Sequence, residues 1–240
     1  MRAWAINKYG NNSQVKLMDF PEPKIGDDEV LIQIRAASIN PVDFKIRDGK
    51  LRFVLPYKLP LILGNDCAGV IISVGRSVAK FKVGDEVYTR PHKDRIGTLA
   101  EFIAAKESAT ALKPKNISFE EAASIPLIGL TSWQALLDRG HMQKGDRVFV
   151  PAGSGGVGTF AIQLAKHFGA WVATNTSGKN VDFVRSLGAD EVIDYTKEDF
   201  TDRLTNIDIV FDTMGGVTQE KAFTILKPGG QVISIVGPPT

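Results

Sequence analysis

The sequence predicts an α/β protein in which a β-barrel-like amino-terminal domain precedes a doubly wound parallel sheet. Three observations predict it. Short strands at close spacing, separated by glycine turns, occupy residues 30–103; strands and helices alternate from residue 147 onward; and Arg147 to Gly158 reads as strand, glycine turn and helix start. The boundary is expected at a change of character around Lys113-Pro114-Lys115, with one domain over 1–120 and the second over 121–240.

Bulk composition narrows the function. The 240 residues are 43% hydrophobic and 23% charged, which suits a globular protein with a substantial core. A net charge of +2 gives no reason to expect a nucleic acid or an anionic membrane as partner. No apolar run is long enough to span a bilayer, and Met1 to Asn7 reads as a strand rather than a cleavable signal. The single cysteine, Cys67, rules out an internal disulfide framework and leads to a cytoplasmic expectation. With no histidine suggested nearby, Cys67 reads as a packed core thiol.

In the first half, Val30, Ile32 and Ile34 alternate with Leu31, Gln33 and Arg35 at a strand's period of two. The loop after it carries four polar side chains, and Asn40 can cap a helical turn with Pro41 at its first position. Asn40, Asp43 and Lys45 are the candidate residues at the substrate end, although Asn-Pro with an acid three residues on is also an ordinary helix start. Strands follow around Val70–Val74, Val83–Tyr88 and Thr98–Ile103, and Ser118 with Glu121 forms a capping box for a helix. A second helical stretch is expected around Leu130–Leu137. Trp4, Trp133, Trp171 and most phenylalanines are expected in the core.

The second half is organised around Val148-Phe149-Val150, a run too short for a helix and read as a buried parallel strand. Gly153, Gly155 and Gly158 follow as G-x-G-x-x-G, with expected roles in the turn, in close approach to a pyrophosphate and in helix packing. Val157, Ala161, Leu164, Ala165 and Phe168 fall on one helical face. Gly153, Ser154, Gly155, Gly156, Val157 and Gly158 are therefore candidate nucleotide-binding residues, because N–H groups at the helix start face an anion. Further helices are expected over Val181–Leu187, Phe200–Leu204 and Gln219–Leu226, and strands over Trp171–Thr174, Val192–Ile193, Ile207–Phe211 and Val232–Val236.

An NAD site presents an acid about 20 residues past the fingerprint. Here Ala173 to Lys179 contains none, and offers Thr176, Ser177 and Lys179 instead, a set suited to a 2′-phosphate and hence to NADP(H). The sequence-level alternative is an exposed lysine in a helix's first turn.

Five stretches in order, Ala37–Lys45, Gly69–Gly75, Phe81–Val87, Ala152–Gly158 and Arg185–Asp190, resemble the medium-chain dehydrogenase/reductase superfamily over essentially the whole chain. The resemblance implies a GroES-like β-barrel domain followed by a Rossmann domain. Asn40 to Lys45 and Asp194-Tyr195-Thr196-Lys197 look most like the zinc-free quinone oxidoreductase and NADPH-dependent alkenal or enone oxidoreductase branch. In that branch the position of Tyr195 contacts the 2′-phosphate. Met214 and Gly215, with Ile235, Val236 and Gly237, are expected to line the nicotinamide half beyond the strands' carboxyl ends. Family members continue past Val232–Gly237 with another strand and a return segment, so with the chain stopping at Thr240 the expectation is a fragment lacking the carboxyl-terminal part of the family fold.

Zinc-bearing relatives place a cysteine near Asn40 and a Gly-His-Glu motif where this chain has Gly64-Asn65-Asp66. Asn65 offers neither sulfur nor imidazole, and His92, His141 and His167 show no ligand spacing, so no metal is expected. The leading expectation is hydride transfer to a quinone or to the C=C of an α,β-unsaturated carbonyl, in which hydrogen-bond donors stabilise an enolate-like oxygen. Lys45 is expected to donate to the cofactor or the substrate oxygen, Asn40 to hold the loop or donate, and Asp43 to fix Lys45 or a water. The alternatives are an alcohol dehydrogenase of the same superfamily and a non-catalytic NADP-binding protein. The expected partner is a small-molecule quinone or enone, with a homodimer as candidate assembly.

Overall fold

A computed structural model describes residues 1–237, and the chain divides into two compact units, Met1–Leu127 and Ile128–Thr240. The first is mostly antiparallel β. Strands β1 (Arg2–Ile6), β2 (Val15–Asp19) and β4 (Leu61–Ile62) form a three-stranded sheet in the order β2-β1-β4. Strands β3 (Glu29–Ser38), β5 (Asp66–Val74), β6 (Glu86–Thr89), β7 (Phe102–Lys106) and β8 (Thr110–Leu112) form the second, in the order β7-β3-β5-β6-β8.

The long pair β3 and β5 is the spine of this unit, with Ala37 opposite Cys67 and Ser38 opposite Asp66. Val30, Ile32, Cys67, Ile71, Val87 and Ile103 meet in its core. Each fully buried aliphatic residue there contributes ~1.5–3 kcal/mol. Helix α1 (Pro41–Arg47) follows β3 and drops Ile46 into a neighbouring cluster with Ile6, Leu61 and Leu63. Helix α2 (Phe119–Ala123) starts at Ser118, whose hydroxyl accepts from the Glu121 N–H at 3.1 Å while the Glu121 carboxylate accepts from the Ser118 N–H at 2.8 Å.

Helix α3 (Pro126–Trp133) leads into the second unit and continues as a π-helical segment, Gln134–Arg139, closed by a bond from the Gly140 N–H to Ala135 O. There β9 (Arg147–Val150), β10 (Trp171–Thr176), β11 (Glu191–Asp194), β12 (Ile207–Asp212) and β13 (Leu226–Ser234) pair in parallel, in the order β11-β10-β9-β12-β13. Helices α4 (Gly156–His167), α5 (Val181–Ser186) and α6 (Gly216–Ala222) connect them.

The uniform apolar run of β9 has a simple cause. Val148 and Val150 face one layer with Ala161, Ile162 and Ala165 of α4, whereas Phe149 faces the opposite layer with Ile193, Val210 and Ala222. A strand covered on both faces has no position for a polar residue. Because β10 and β12 flank β9 on opposite sides, the chain reverses direction of winding at the carboxyl end of β9. That is where ligands of open α/β sheets sit.

Several expected elements are shorter or shifted. Phe200–Asp202 is a 3₁₀ turn, the helix expected over Gln219–Leu226 runs over Gly216–Ala222, and β13 starts at Leu226 and ends at Ser234, ahead of Ile235 and Val236. Trp4 and Trp133, expected in the core, are 48% and 46% exposed, and Phe44 and Phe53 are exposed as well. Trp171 is partly buried, with the Arg147 guanidinium 3.7 Å from its ring centroid. Among the described residues, no helix is long and apolar enough to cross a membrane.

Candidate functional site

At the end of β9 the chain turns through Ala152, which adopts a left-handed conformation with φ 57°. The glycines of the fingerprint do not carry this turn's positive φ. Asn175 holds the strained residue instead, its side-chain oxygen accepting from the Ala152 N–H at 2.8 Å while its backbone carbonyl accepts from the Gly153 N–H at 3.0 Å.

The glycines act by close approach. A Cβ on Gly153 would lie 2.0 Å from the Thr174 hydroxyl, and one on Gly158 would lie 2.5 Å from the Ala152 carbonyl. Gly155 and Gly156 are exposed, and a Cβ on Gly156 would meet nothing nearer than 3.7 Å. The first intrahelical bond of α4 runs from Thr159 to the Gly155 carbonyl at 2.9 Å. The N–H groups of Gly156, Val157 and Gly158 therefore precede the helical ladder, at the positive end of a 12-residue helix. This corner suits a pyrophosphate.

Beside it, β10 ends in Thr176, Ser177 and the turn Gly178–Asn180. Thr176 is buried, and its hydroxyl donates to Ser154 Oγ at 2.9 Å, so it supports the corner from behind. Lys179 is exposed and makes no ion pair or hydrogen bond among the described residues. Tyr195 is 60% exposed, and its backbone N–H donates to the Thr176 carbonyl at 3.1 Å, which ties the ends of β10 and β11 together. A groove of about 280 Å³ opens here, its lining including Ala152, Asn175, Tyr195, Met214 and Val217.

The loop after β12 is built by Asp212. One of its carboxylate oxygens accepts from the N–H groups of Met214 and Gly215, each at 2.9 Å, and the other accepts from the Ser234 hydroxyl at 2.7 Å. The Ile235 N–H donates to the Asp212 carbonyl at 3.1 Å. The structure thus gathers Met214, Gly215 and Ile235 at the adjacent ends of β12 and β13, with Val236 and Gly237 following.

In the first unit the polar loop has a different logic from the one expected. Asn40 and Asp43 are 5% and 4% exposed. The Asp43 carboxylate accepts from the Asn40 backbone N–H and from the Asn65 carboxamide, each at 2.6 Å, and does not pair with Lys45. The Asn40 carboxamide donates to Asp66 at 2.9 Å and to Ser38 Oγ at 3.2 Å, and the Ser38 hydroxyl donates to Asp66 at 3.0 Å. Burial pushes both carboxyls above their ordinary range, Asp66 to about 6, against the pull of these hydrogen bonds. Lys45 is exposed on α1, and its ammonium has no partner among the described residues.

The residues in the places of zinc ligands do not fit zinc. Asn40 and Asn65 present carboxamide N–H groups that donate to buried carboxylates, whereas zinc binds thiolate, imidazole and carboxylate donors. Cys67 is wholly buried and its thiol is pushed up by the same desolvation, so it is not a thiolate ligand. Of the scattered histidines, His92 bonds to Asp94 and His167 packs edge-on against Phe168. Among the described residues, no group of three or more histidine, cysteine or acidic side chains could hold a metal ion.

Sequence reasoning missed Asn175, Asp212, Ser234, Asn65 and Asp66 as builders of these two arrangements. Asn175 and Asp212 each stand at or next to the end of a parallel strand, where a short polar side chain can bond back to turn N–H groups. That placement was the available signal.

Residues 26–115 match the alcohol dehydrogenase GroES-like domain, and residues 156–240 match the zinc-binding dehydrogenase family. The chain is 44% identical to the 2-methylene-furan-3-one reductase of Solanum lycopersicum, over 99% of this chain and 62% of the relative. It is 42% identical to the chloroplastic NADPH-dependent alkenal/one oxidoreductase of Arabidopsis thaliana, over 99% of this chain and 63% of the relative. The chain thus spans somewhat under two thirds of the length of these curated relatives. The solved structure of the quinone oxidoreductase from Coxiella burnetii superposes with a TM-score of 0.90 at 37% identity, covering 98% of this chain and 75% of that one. The two family domains in order, the parallel sheet with its glycine corner and these likenesses place the chain in the medium-chain dehydrogenase/reductase superfamily.

Proposed function

We propose that the protein is an NADPH-dependent, zinc-independent oxidoreductase that reduces a quinone or the C=C of an α,β-unsaturated carbonyl. The observation that carries this reading is the corner between β9 and α4. Its unladdered N–H groups, at Gly156 to Gly158, lie beside a second turn that bears Ser177 and Lys179 and has no acid. The name of the Arabidopsis thaliana relative supports the same cofactor.

The residues present fit a nicotinamide dinucleotide phosphate. The α4 N–H groups and Ser154 would hold the pyrophosphate, Ser177, Lys179 and Tyr195 the 2′-phosphate, and the loops after β12 and β13 the nicotinamide half. A bound NADPH supplies a hydride, and the protein supplies position and electrostatics. Two-electron reduction of an enone places the electron pair on the carbonyl oxygen, and a solvent proton then completes the carbon that was α to it. Lys45 is the donor that this reading assigns to that oxygen, as an exposed ammonium with no other partner among the described residues. Asn40 and Asp43, both buried, hold the loop and helix start that carry it.

Zinc independence rests on the donor chemistry of Asn40 and Asn65. The cytoplasm as compartment and a homodimer as assembly complete the proposal, to be checked by fractionation and by the native mass. The functional test is NADPH consumption with a panel of enones, quinones, ketones and alcohols, with and without a zinc chelator. Turnover of enones or quinones that is indifferent to the chelator is expected. Turnover confined to alcohols and ketones and abolished by the chelator would identify an alcohol dehydrogenase instead, and NADPH binding with no turnover a non-catalytic protein.

A further inference from the structure

Asn180 occupies the N-cap position of α5, where an asparagine side chain ordinarily accepts from the helix's first N–H groups, yet its side chain makes no cap bond. Its carboxamide turns the other way. Nδ2 donates to Ser154 Oγ at 3.2 Å and to Ser177 Oγ at 3.3 Å. Ser154 belongs to the turn after β9 and Ser177 to the turn after β10, so one amide group spans the two turns.

The proton count gives this bridge a direction. A serine hydroxyl has one proton to give and two lone pairs to receive. Ser154 Oγ receives from Asn180 and from the buried Thr176 hydroxyl, at 3.2 and 2.9 Å, which occupies both lone pairs. Its own proton must then point away from both donors. Ser177 Oγ likewise receives from Asn180, and neither serine donates a hydrogen bond to any described residue.

We infer that Asn180 is a positioning residue of the nucleotide site, which by donating to Ser154 and Ser177 turns both hydroxyl protons outward and fixes the spacing at which the pyrophosphate and the 2′-phosphate are read. This rests on the proposed dinucleotide site and adds a residue that acts on selectivity without touching the ligand. NADPH engages both serines, whereas NADH, without the 2′-phosphate, engages Ser154 alone. Loosening both hydroxyls therefore weakens NADPH more than NADH.

The test is fluorescence titration of the full chain with NADPH and with NADH. In Asn180→Ala the NADPH Kd is expected to rise about tenfold and the NADH Kd several-fold less, the scale of a weakened hydrogen bond to a charged group. The melting temperature stays within about 2 °C, so a lower preference for NADPH is not a folding effect. In a Ser154→Ala/Ser177→Ala background, adding Asn180→Ala is expected to change neither Kd further, since the residue acts only through the two hydroxyls. An unchanged ratio of the two Kd values in Asn180→Ala, or full additivity in the triple variant, would overturn the inference while leaving the site in place. A wild-type chain that binds neither nucleotide would overturn the proposed function, and this inference with it.

Discussion

The carboxamide of Asn40 donates a 2.9 Å hydrogen bond to Asp66, a carboxylate wholly buried at the start of β5. The bond ties the loop ahead of α1 to the spine of the first unit. It satisfies only one of the two carboxylate oxygens, however, and the other, Oδ1, is buried without a hydrogen-bond partner among the described residues. A half-satisfied buried charge is costly, and that cost is what holds the Asp66 proton up to about pH 6.

A pH dependence of stability follows. Between about pH 4 and pH 6 the folded protein holds a proton at Asp66 that the unfolded chain has released, so folding is most favoured at the lower end and loses stability as pH rises through about 6. The shift from 3.8 to about 6 corresponds to roughly 3 kcal/mol for the first unit. Asp43, raised for the same reason, adds to the slope with the same sign. Denaturant unfolding from pH 4.5 to 7.5 should show Asp66→Asn flattening most of this slope. An equally steep slope in the variant would mean that Asp66 titrates normally.

The two fingerprint glycines tested most easily should fail in different ways. Gly153→Ala places a methyl 2.0 Å from the Thr174 hydroxyl, which is itself bonded to the Val150 carbonyl, so the turn must rebuild. A loss of at least about 2 kcal/mol of stability, together with nucleotide binding, is expected. At Gly155 the nearest atom to an added Cβ is the Ala152 carbonyl oxygen at 3.2 Å. Gly155→Ala should therefore cost clearly less stability than Gly153→Ala while still losing NADPH affinity. Thermal melts and NADPH titrations of both variants check the contrast.

Lys179 carries no ion pair among the described residues, so its removal costs the fold little. Lys179→Ala should raise the NADPH Kd about tenfold or more and leave the NADH Kd within about twofold, since a charge-assisted hydrogen bond is worth ~1.5–3 kcal/mol. The NADPH effect should shrink as salt is raised. Equal losses for the two nucleotides would place the 2′-phosphate elsewhere.

Lys45→Ala isolates the first unit's contribution to chemistry. Removing one donor to a developing oxyanion lowers kcat by roughly 10²-fold or more. Enone kcat should fall on that scale while the NADPH Kd is unchanged, and Lys45→Arg should restore part of the rate. Unchanged kcat and substrate KM would remove Lys45 from the mechanism.

What was legible in the sequence had a periodic or spacing signal. The apolar run at Val148–Val150, the three glycines after it and the absence of an acid before Lys179 announce the parallel sheet and its anion corner. The Ser118 and Glu121 box was legible because both halves are local. The network of Asn40, Asp43, Asn65 and Asp66 was not, because it joins residues from two elements, 22 and 26 positions apart, through side-chain geometry that no local pattern encodes. Asp43 looked like a partner for Lys45 because helical neighbours are close in sequence. Burial decided otherwise, since at 4% exposure it needed fixed donors and found the Asn65 amide. Trp4 and Trp133 show the reverse error, since large aromatic rings carry no pattern that separates a core face from a surface one.

The central claim, that a dinucleotide's phosphates rest where β9 gives way to α4, is tested most directly by a crystal structure of the full chain grown with NADPH. A pyrophosphate against the N–H groups of Gly156, Val157 and Gly158 and a 2′-phosphate at Ser177 and Lys179 are expected. NADPH bound elsewhere, with that corner closed by side chains, would contradict it.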